Sequence, residues 1–368
     1  MSIIGTLFRV SLFGESHGIG VGTIVEGCPS GLSLNKEDIE RELAKRRPGY
    51  SQFVSKRKER DEVLIFSGIY RGRTTGAPIC MYILNKDVDS SPYLENLHKP
   101  RPGHADYPAW VKYGGFNDPR GGGIFSGRLT AGIVMAGAVA KKLLGLFGIR
   151  VVGWITQIGR VKASISSLGE IQVKYSDLCC PDPKAAKKMK DVLMKAMKDG
   201  DSVGGVVEVV AQGVPPGVGE PFFDTLEGDI AKALFAIPGV KGVEFGAGFY
   251  SASMKGSEYV GSLLLDGDKV VIRPDYSGGI QGGISNGMPL ICKVAFHPPT
   301  SIGRAQLTVD LKEMKPCEIS IKGRHDPCIA IRAVPVVESC LAIVLVDHML
   351  RAGKIPRVLG EENESGRS

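Results

Sequence analysis

The chain has 368 residues, 43% of them hydrophobic and 23% charged. That balance excludes an intrinsically disordered or fibrous chain and is ample for a large buried core. The net charge of +7 is uneven: residues 41–60 carry eight Lys or Arg against Glu42 and Glu59, which suits nucleic acid, an anionic membrane or a small polyanionic substrate.

In chain order, residues 21–25 read as the first strand, rich in β-branched side chains. Asn35 can cap a helix that runs through Arg47, where Pro48-Gly49 ends it. The basic segment 49–60 follows as a candidate lid hinged at Gly49. Strands are expected at 63–66 and 79–84. Ser126 can open a helix to Leu146, so full of Ala and Gly that close packing on all sides is expected. Its apolar stretch, 129–140, is interrupted at Lys141-Lys142 and is too short for a membrane span. Strand 151–158 precedes a basic helix with Asp182 as cap and Pro183 in first position, ending at Lys198. Strand 206–210, helix 226–237, strand 269–273 and helix 335–351 complete the series. Several strands are adjacent, which favours α+β with antiparallel sheets over a doubly wound parallel sheet. A single domain over 1–357 is expected, followed by a polar, flexible tail at 358–368.

The eight cysteines form no C-x-x-C pair, and no cleavable leader is evident at the N-terminus. Reduced thiols in a cytoplasmic protein are the expectation. The 49 glycines cluster in groups such as Gly121-Gly122-Gly123, Gly278-Gly279 and Gly282-Gly283, where backbone can approach a ligand or turn tightly.

Three of the six histidines sit in Gly-rich, charged surroundings: His17, His104 and His325. Loops of this kind present side chains to ligands. With Asp106 and Asp326 they could supply metal ligands, but no H-E-x-x-H or H-x-H spacing occurs, which argues against a metal site. No G-x-G-x-x-G or Walker A motif is present. The loop Gly121-Gly122-Gly123-Ile124-Phe125-Ser126-Gly127-Arg128 still offers amides, a hydroxyl and an arginine at a helix start, fit for an anion or for an ordinary cap. Residues 298–304, with Thr300, Ser301 and Arg304, form a second loop of this character. Ser16-His17 has poor geometry for a nucleophile couple, since neighbours in extended chain point apart. The pool suits a site that handles two anionic molecules together.

These blocks resemble those of the chorismate synthase family. Gly14-Glu15-Ser16-His17-Gly18, Arg47-Pro48-Gly49 and Arg101-Pro102-Gly103-His104-Ala105-Asp106-Tyr107 come first. Gly121-Gly122-Gly123 with Ser126-Gly127-Arg128, then Gly278 to Gly287, then Gly323-Arg324-His325-Asp326-Pro327-Cys328 follow in order. The resemblance implies a monofunctional, bacterial-type enzyme with an α+β fold, a β-α-β sandwich whose helices pack between antiparallel sheets, assembled as a homotetramer. It implies 1,4-elimination of phosphate from 5-enolpyruvylshikimate 3-phosphate to give chorismate, with reduced FMN required and no net redox change. It also implies an external flavin reductase, with NADPH as the upstream reductant.

By the same resemblance His17 is the general acid for the leaving phosphate and His104 stands near the flavin N1 and C2 carbonyl edge. Asp326, helped by Ser16, is the base that relays a proton from flavin N5. Arg46, Arg47 and Arg128 clamp substrate anions. Phe125, Ser126, Gly282, His297, Thr300, Ser301 and Arg324 fall where the family contacts FMN. Three departures stand out: Ile124 where many members carry Arg, His297 in place of a common Lys, and Pro238-Gly239 in place of a polar-Ala pair. A nucleic-acid-binding role finds little support, with two Trp and 7% aromatics for stacking and no known motif. A metal-dependent hydrolase built on His17, His104 and Asp326 is the remaining alternative.

Overall fold

The computed structural model describes residues 2–47, 53, 61–86, 88–164, 178–320 and 326–360. The expected lid at 49–60 lies outside the described residues except for Phe53, as does the tail beyond Gly360.

Two five-stranded antiparallel sheets enclose a layer of helices. The first contains β1 (Ile3–Ile4), β2 (Arg9–Gly14), β3 (Gly20–Glu26), β4 (Leu64–Ile65) and β5 (Ile79–Leu84), in the order β1-β2-β3-β5-β4. The second contains β6 (Arg150–Ile158), β7 (Val161–Lys162), β8 (Gly205–Gln212), β9 (Val240–Phe245) and β10 (Leu290–Phe296), in the order β9-β10-β8-β6-β7. Among the described residues, the α-helices of eight residues or more are α1 (Lys36–Arg46), α2 (Asp106–Tyr113), α3 (Thr130–Leu146), α4 (Pro183–Lys198), α5 (Leu226–Phe235) and α6 (Ala330–Arg351). Helix α3 lies on the first sheet, α6 on the second, and the two pack together. This is the expected α+β sandwich in one domain.

Local chemistry sets the helix ends. Asn35 and Asp38 exchange side-chain to backbone hydrogen bonds at 3.0 Å and cap α1, while Asp182 accepts from Lys184 and Ala185 N–H at the start of α4. Ser126 caps a short 3-10 turn, Gly127–Leu129, and α3 follows at Thr130. Gly137 of α3 is a contact point with α6: a Cβ there would fall 2.7 Å from Ser339 Cα, so only glycine lets the helices approach this closely.

Two expectations need correction. Helix α6 begins five residues earlier than the expected Pro335, at Ala330, and carries Pro335 inside it. Burial on all sides overrides the proline penalty, because the segment sits between α3 and the second sheet. The apolar stretch does not stop short of membrane length either. Gly127–Leu146 and Ala330–Arg351 are each long and apolar enough to cross a membrane by composition, but 72% and 100% of their apolar windows are buried inside the protein, so they act as core helices.

Lys141, expected to interrupt the apolar helix, lies inside the fold. Its Nζ donates to Glu42 of α1 at 2.7 Å and to Glu338 of α6, and Glu338 accepts from Gly153 N–H of β6 at 2.8 Å. Burial would lower the Lys141 ammonium, but Glu338 and Glu42 outweigh it and hold it above its ordinary value. At the C-terminal end, Val358 bridges to Ser30 and Leu359 is buried, so contacts run past Arg357.

Candidate active site

The turn between β2 and β3 carries Ser16 and His17, both buried. His17 Nδ1 meets Ser90 Oγ at 2.9 Å, and the ring stands edge-on to Tyr93 with centroids 5.3 Å apart. Against this turn lies Gly121, in the left-handed region at φ 60°. A Cβ there would fall 2.5 Å from His17 Nε2 and 2.8 Å from Ser16 Oγ, so the loop presents bare backbone to both side chains.

The next glycine does the same for His104. A Cβ on Gly122 would fall 3.5 Å from His104 Nε2 and 3.5 Å from Arg101 Nη2. Consecutive Cα atoms are 3.8 Å apart, so the two imidazole Nε2 atoms are separated by no more than about 13 Å. His104 Nδ1 lies 2.6 Å from Asp106 Oδ1. Arg101 Nη2 stands 3.0 Å from the same nitrogen, but a guanidinium only donates and a carboxylate only accepts, so the shorter Asp106 contact is served by a proton on Nδ1, and Nε2 faces Gly122. Asp106 also receives Arg101 bidentately, Nε at 2.7 Å and Nη2 at 2.8 Å. Burial would raise the Asp106 carboxyl, but hydrogen bonds from Arg101 and His104 outweigh it and hold it well below the usual carboxylate range. The Arg101 guanidinium lies over the Tyr93 ring, 5.4 Å from its centroid, so Tyr93 stands between the His17 ring and the arginine beside His104.

Arg46 and Arg128, expected to clamp substrate anions, both face Asp61. Arg128 Nη1 donates to Asp61 Oδ1 at 2.6 Å, and Arg46 Nη1 stands 3.9 Å from Oδ2. The Asp61 side chain is fully buried. Arg46 also donates to Thr130 Oγ1 at 2.8 Å and Gly127 carbonyl at 2.7 Å. The pair is thus already oriented by an internal carboxylate. Arg47 is the residue at which α1 ends.

Further contacts close a ring around this region. Arg332 Nε donates to the Arg46 carbonyl at 3.2 Å, and its Nη1 meets Asp326 Oδ2 at 2.9 Å. Val203 N–H donates to Pro327 carbonyl at 2.9 Å, and Ser202 Oγ to Pro299 carbonyl at 2.6 Å. Ser301 Oγ accepts from Arg101 Nη1 at 3.4 Å, and Gly103 abuts Thr300. Ser16, His17, Arg46, His104, Ser126, Thr300, Ser301 and Asp326 are therefore gathered about one region. The bare glycine cradle and the hydroxyl-rich 298–304 loop suit a planar, phosphorylated molecule beside an anionic one.

Other expected residues stand differently. Gly282 lies in the turn between Gln281 and Ile284, where a Cβ would meet nothing within 4 Å, and its neighbour Gly283 abuts Thr225 at the start of α5. Arg351, near Asp224 at that end, is about 28 Å along α6 from Arg332 at 1.5 Å per residue, so Gly282 is not brought to this region within one chain. Arg324 and His325 lie outside the described residues. Phe125 turns its ring toward Tyr113, centroids 6.4 Å apart. Ile124 and Phe125 line an outer cavity of about 250 Å³ with Glu15, Phe116 and Asp118. Two departures meet: His297 N–H donates to Gly239 carbonyl at 2.9 Å. Among the described residues, no group of three or more His, Cys, Asp or Glu is placed to hold a metal. Sequence reasoning missed Tyr93, Ser90, Asp61 and the orienting role of Asp106; only the Asp106 spacing from His104 was a visible signal.

Comparison with known proteins follows the same residues. The sequence profile of the family described as chorismate synthase matches residues 8–350. Relatives named chorismate synthase include one from Dehalococcoides mccartyi, 49% identical across 97% of this chain and 98% of its own length. Another, from Korarchaeum cryptofilum, is 51% identical across 95% of this chain and 98% of its own. A solved structure titled "Crystal Structure of Chorismate Synthase" superposes with TM-score 0.76 at 29% identity, covering 98% of this chain and 96% of that one. The sandwich and the motifs that follow one another along the chain therefore have one common explanation: the chain belongs to the chorismate synthase family.

Proposed function

We propose that this chain carries out the family's 1,4-elimination of phosphate from 5-enolpyruvylshikimate 3-phosphate with the following residue roles. The supporting observation is the Gly121-Gly122 cradle, which sets bare backbone against His17 and His104 in turn. His17 gives a proton from Nε2 to the departing phosphate oxygen, lowering the barrier to expelling a highly charged anion. Ser90 on Nδ1 keeps the ring turned for that task. His104, oriented by Asp106, offers Nε2–H or Nε2 to the cofactor edge. Asp326, with Ser16, accepts a proton at its carboxylate, and its pairing with Arg332 holds it in place.

Arg46, Arg47 and Arg128 bind the substrate's phosphate and carboxylates, with Asp61 holding Arg46 and Arg128 in place. Reduced FMN, when bound, lends electron density with no net redox change. Thr300, Ser301, Ser126, Phe125 and His297 would hold it, with Arg324 and, from elsewhere in the assembly, Gly282. The assembly is a cytoplasmic homotetramer that receives reduced flavin from an external reductase, with NADPH as the upstream donor. The test is single replacement. His17→Ala should lower phosphate release by about 10²–10⁴-fold, the usual contribution of a general acid, while leaving FMN affinity near wild type. Full turnover in His17→Ala would remove that role.

A further inference from the structure

We propose that Asn85 is a positioning residue for His17, fastening the turn that carries it to the guanidinium of Arg128. The proposal rests on the reading of His17 and Arg128 given above. Asn85 directly follows β5, and its backbone N–H donates to the Ile19 carbonyl at 3.0 Å. Its side-chain Nδ2 donates to the Glu15 carbonyl at 3.0 Å and to the Gly18 carbonyl at 2.9 Å. Those two carbonyls bracket Ser16 and His17. Its Oδ1 accepts from Arg128 Nε at 3.0 Å.

The amide has one sensible orientation. Carbonyls only accept and guanidinium only donates, so a flipped amide would set oxygen against two oxygens and NH₂ against N–H. One side chain thus closes the His17 turn with its donors and steadies Arg128 with its acceptor. Further along the chain stand Ser90, on the His17 ring nitrogen, and Tyr93, edge-on to the ring. His17 is therefore gripped twice, at the backbone of its turn through Asn85 and at its ring through Ser90. A proton donor misplaced by about 1 Å loses on the order of 10²-fold in rate. Aspartate at this position would keep the acceptor for Arg128 but face two carbonyl oxygens with a carboxylate, so it isolates the turn-closing half of the role.

A double-mutant cycle tests this, comparing wild type, Asn85→Asp, His17→Ala and the double variant in anaerobic turnover with 5-enolpyruvylshikimate 3-phosphate and reduced FMN. Circular dichroism melting checks that each is folded. If Asn85→Asp does not fold, Asn85→Ala takes its place, since it removes the bonds without adding charge. The expected result is a loss of about 10–100-fold in kcat for Asn85→Asp, with less than about 2-fold further loss in the His17→Ala background. A wild-type kcat in Asn85→Asp, or equal losses in both backgrounds, would overturn the proposal. Ring ¹⁵N signals of His17 in histidine-labelled protein give a second readout independent of turnover. They should move in Asn85→Asp, and unchanged signals would contradict the proposal. Should His17→Ala retain full turnover, the general-acid reading fails by itself and the ring signals alone decide whether Asn85 holds the turn.

Discussion

Replacing Gly121 by alanine probes the cradle with one added carbon. The residue sits at φ 60°, a left-handed conformation that costs an L-residue roughly 1–2 kcal/mol. The new Cβ would fall 2.5 Å from His17 Nε2 and 2.8 Å from Ser16 Oγ, whereas non-bonded contacts settle at about 3.5–4.0 Å. His17 must therefore retreat by about 1 Å, and overpacking of this kind adds about 1–3 kcal/mol. Stability should fall by about 2–5 kcal/mol in all, and kcat by about 10²-fold from the displaced imidazole. Gly127 provides a matched control in the same loop, because a Cβ there meets nothing within 4 Å and no left-handed φ is required. Gly127→Ala should stay within about 0.5 kcal/mol of wild type and keep its turnover. Melting curves and anaerobic kcat measure both effects. A folded Gly121→Ala variant with wild-type kcat, or equal damage from Gly127→Ala, would refute the reasoning.

Lys141→Met should destabilise the fold by about 3–5 kcal/mol, since it takes the Lys141 cation away from buried Glu338 and leaves Glu42 with Lys45; urea titration reads this directly, and a neutral result would contradict the triad. Burial raises Glu42, but Lys141 and Lys45 outweigh it and hold it below its ordinary value. Its contribution is therefore present above the unfolded glutamate value of about 4.3 and is lost as pH falls through the lower folded value. Lys141→Met should flatten that acid limb of the stability curve. Asp106→Ala should lower kcat by about 10-fold or more, because His104 loses the acceptor that fixes its tautomer; unchanged kcat would show that His104 needs no such partner. His297→Lys should tighten FMN binding, since it places the common ammonium of the family at this position. Equal FMN affinity with and without the change would count against a charge role at this position.

The regular elements were largely legible. Asn35 and Asp182 mark helix starts by side-chain capping and Pro183 by its place in the first turn, which is local chemistry. Strand β10 escaped notice although its residues alternate in burial, because Lys293 interrupts the apolar run; its partner Glu244 stands on the neighbouring strand and cannot be seen from one segment. The hairpin strand Ser262–Asp266 escaped for the opposite reason, being exposed throughout and lacking any core-facing period. Helix α6 was read too short because Pro335 looks like a boundary, and only tertiary burial shows otherwise. At the site, histidines in glycine loops could be singled out from the chain alone. Their supports could not: Ser90 is 73 residues from His17, and Asp61 is 67 from Arg128. Such partners are fixed by how the sheet returns, not by any local pattern.

The central claim is the elimination itself. Purified protein, 5-enolpyruvylshikimate 3-phosphate and chemically reduced FMN, mixed without oxygen, should yield the chorismate diene absorbance and phosphate in equal amounts, and the same mixture with oxidised FMN should yield neither. Folded protein that binds reduced FMN and forms no product would contradict the account.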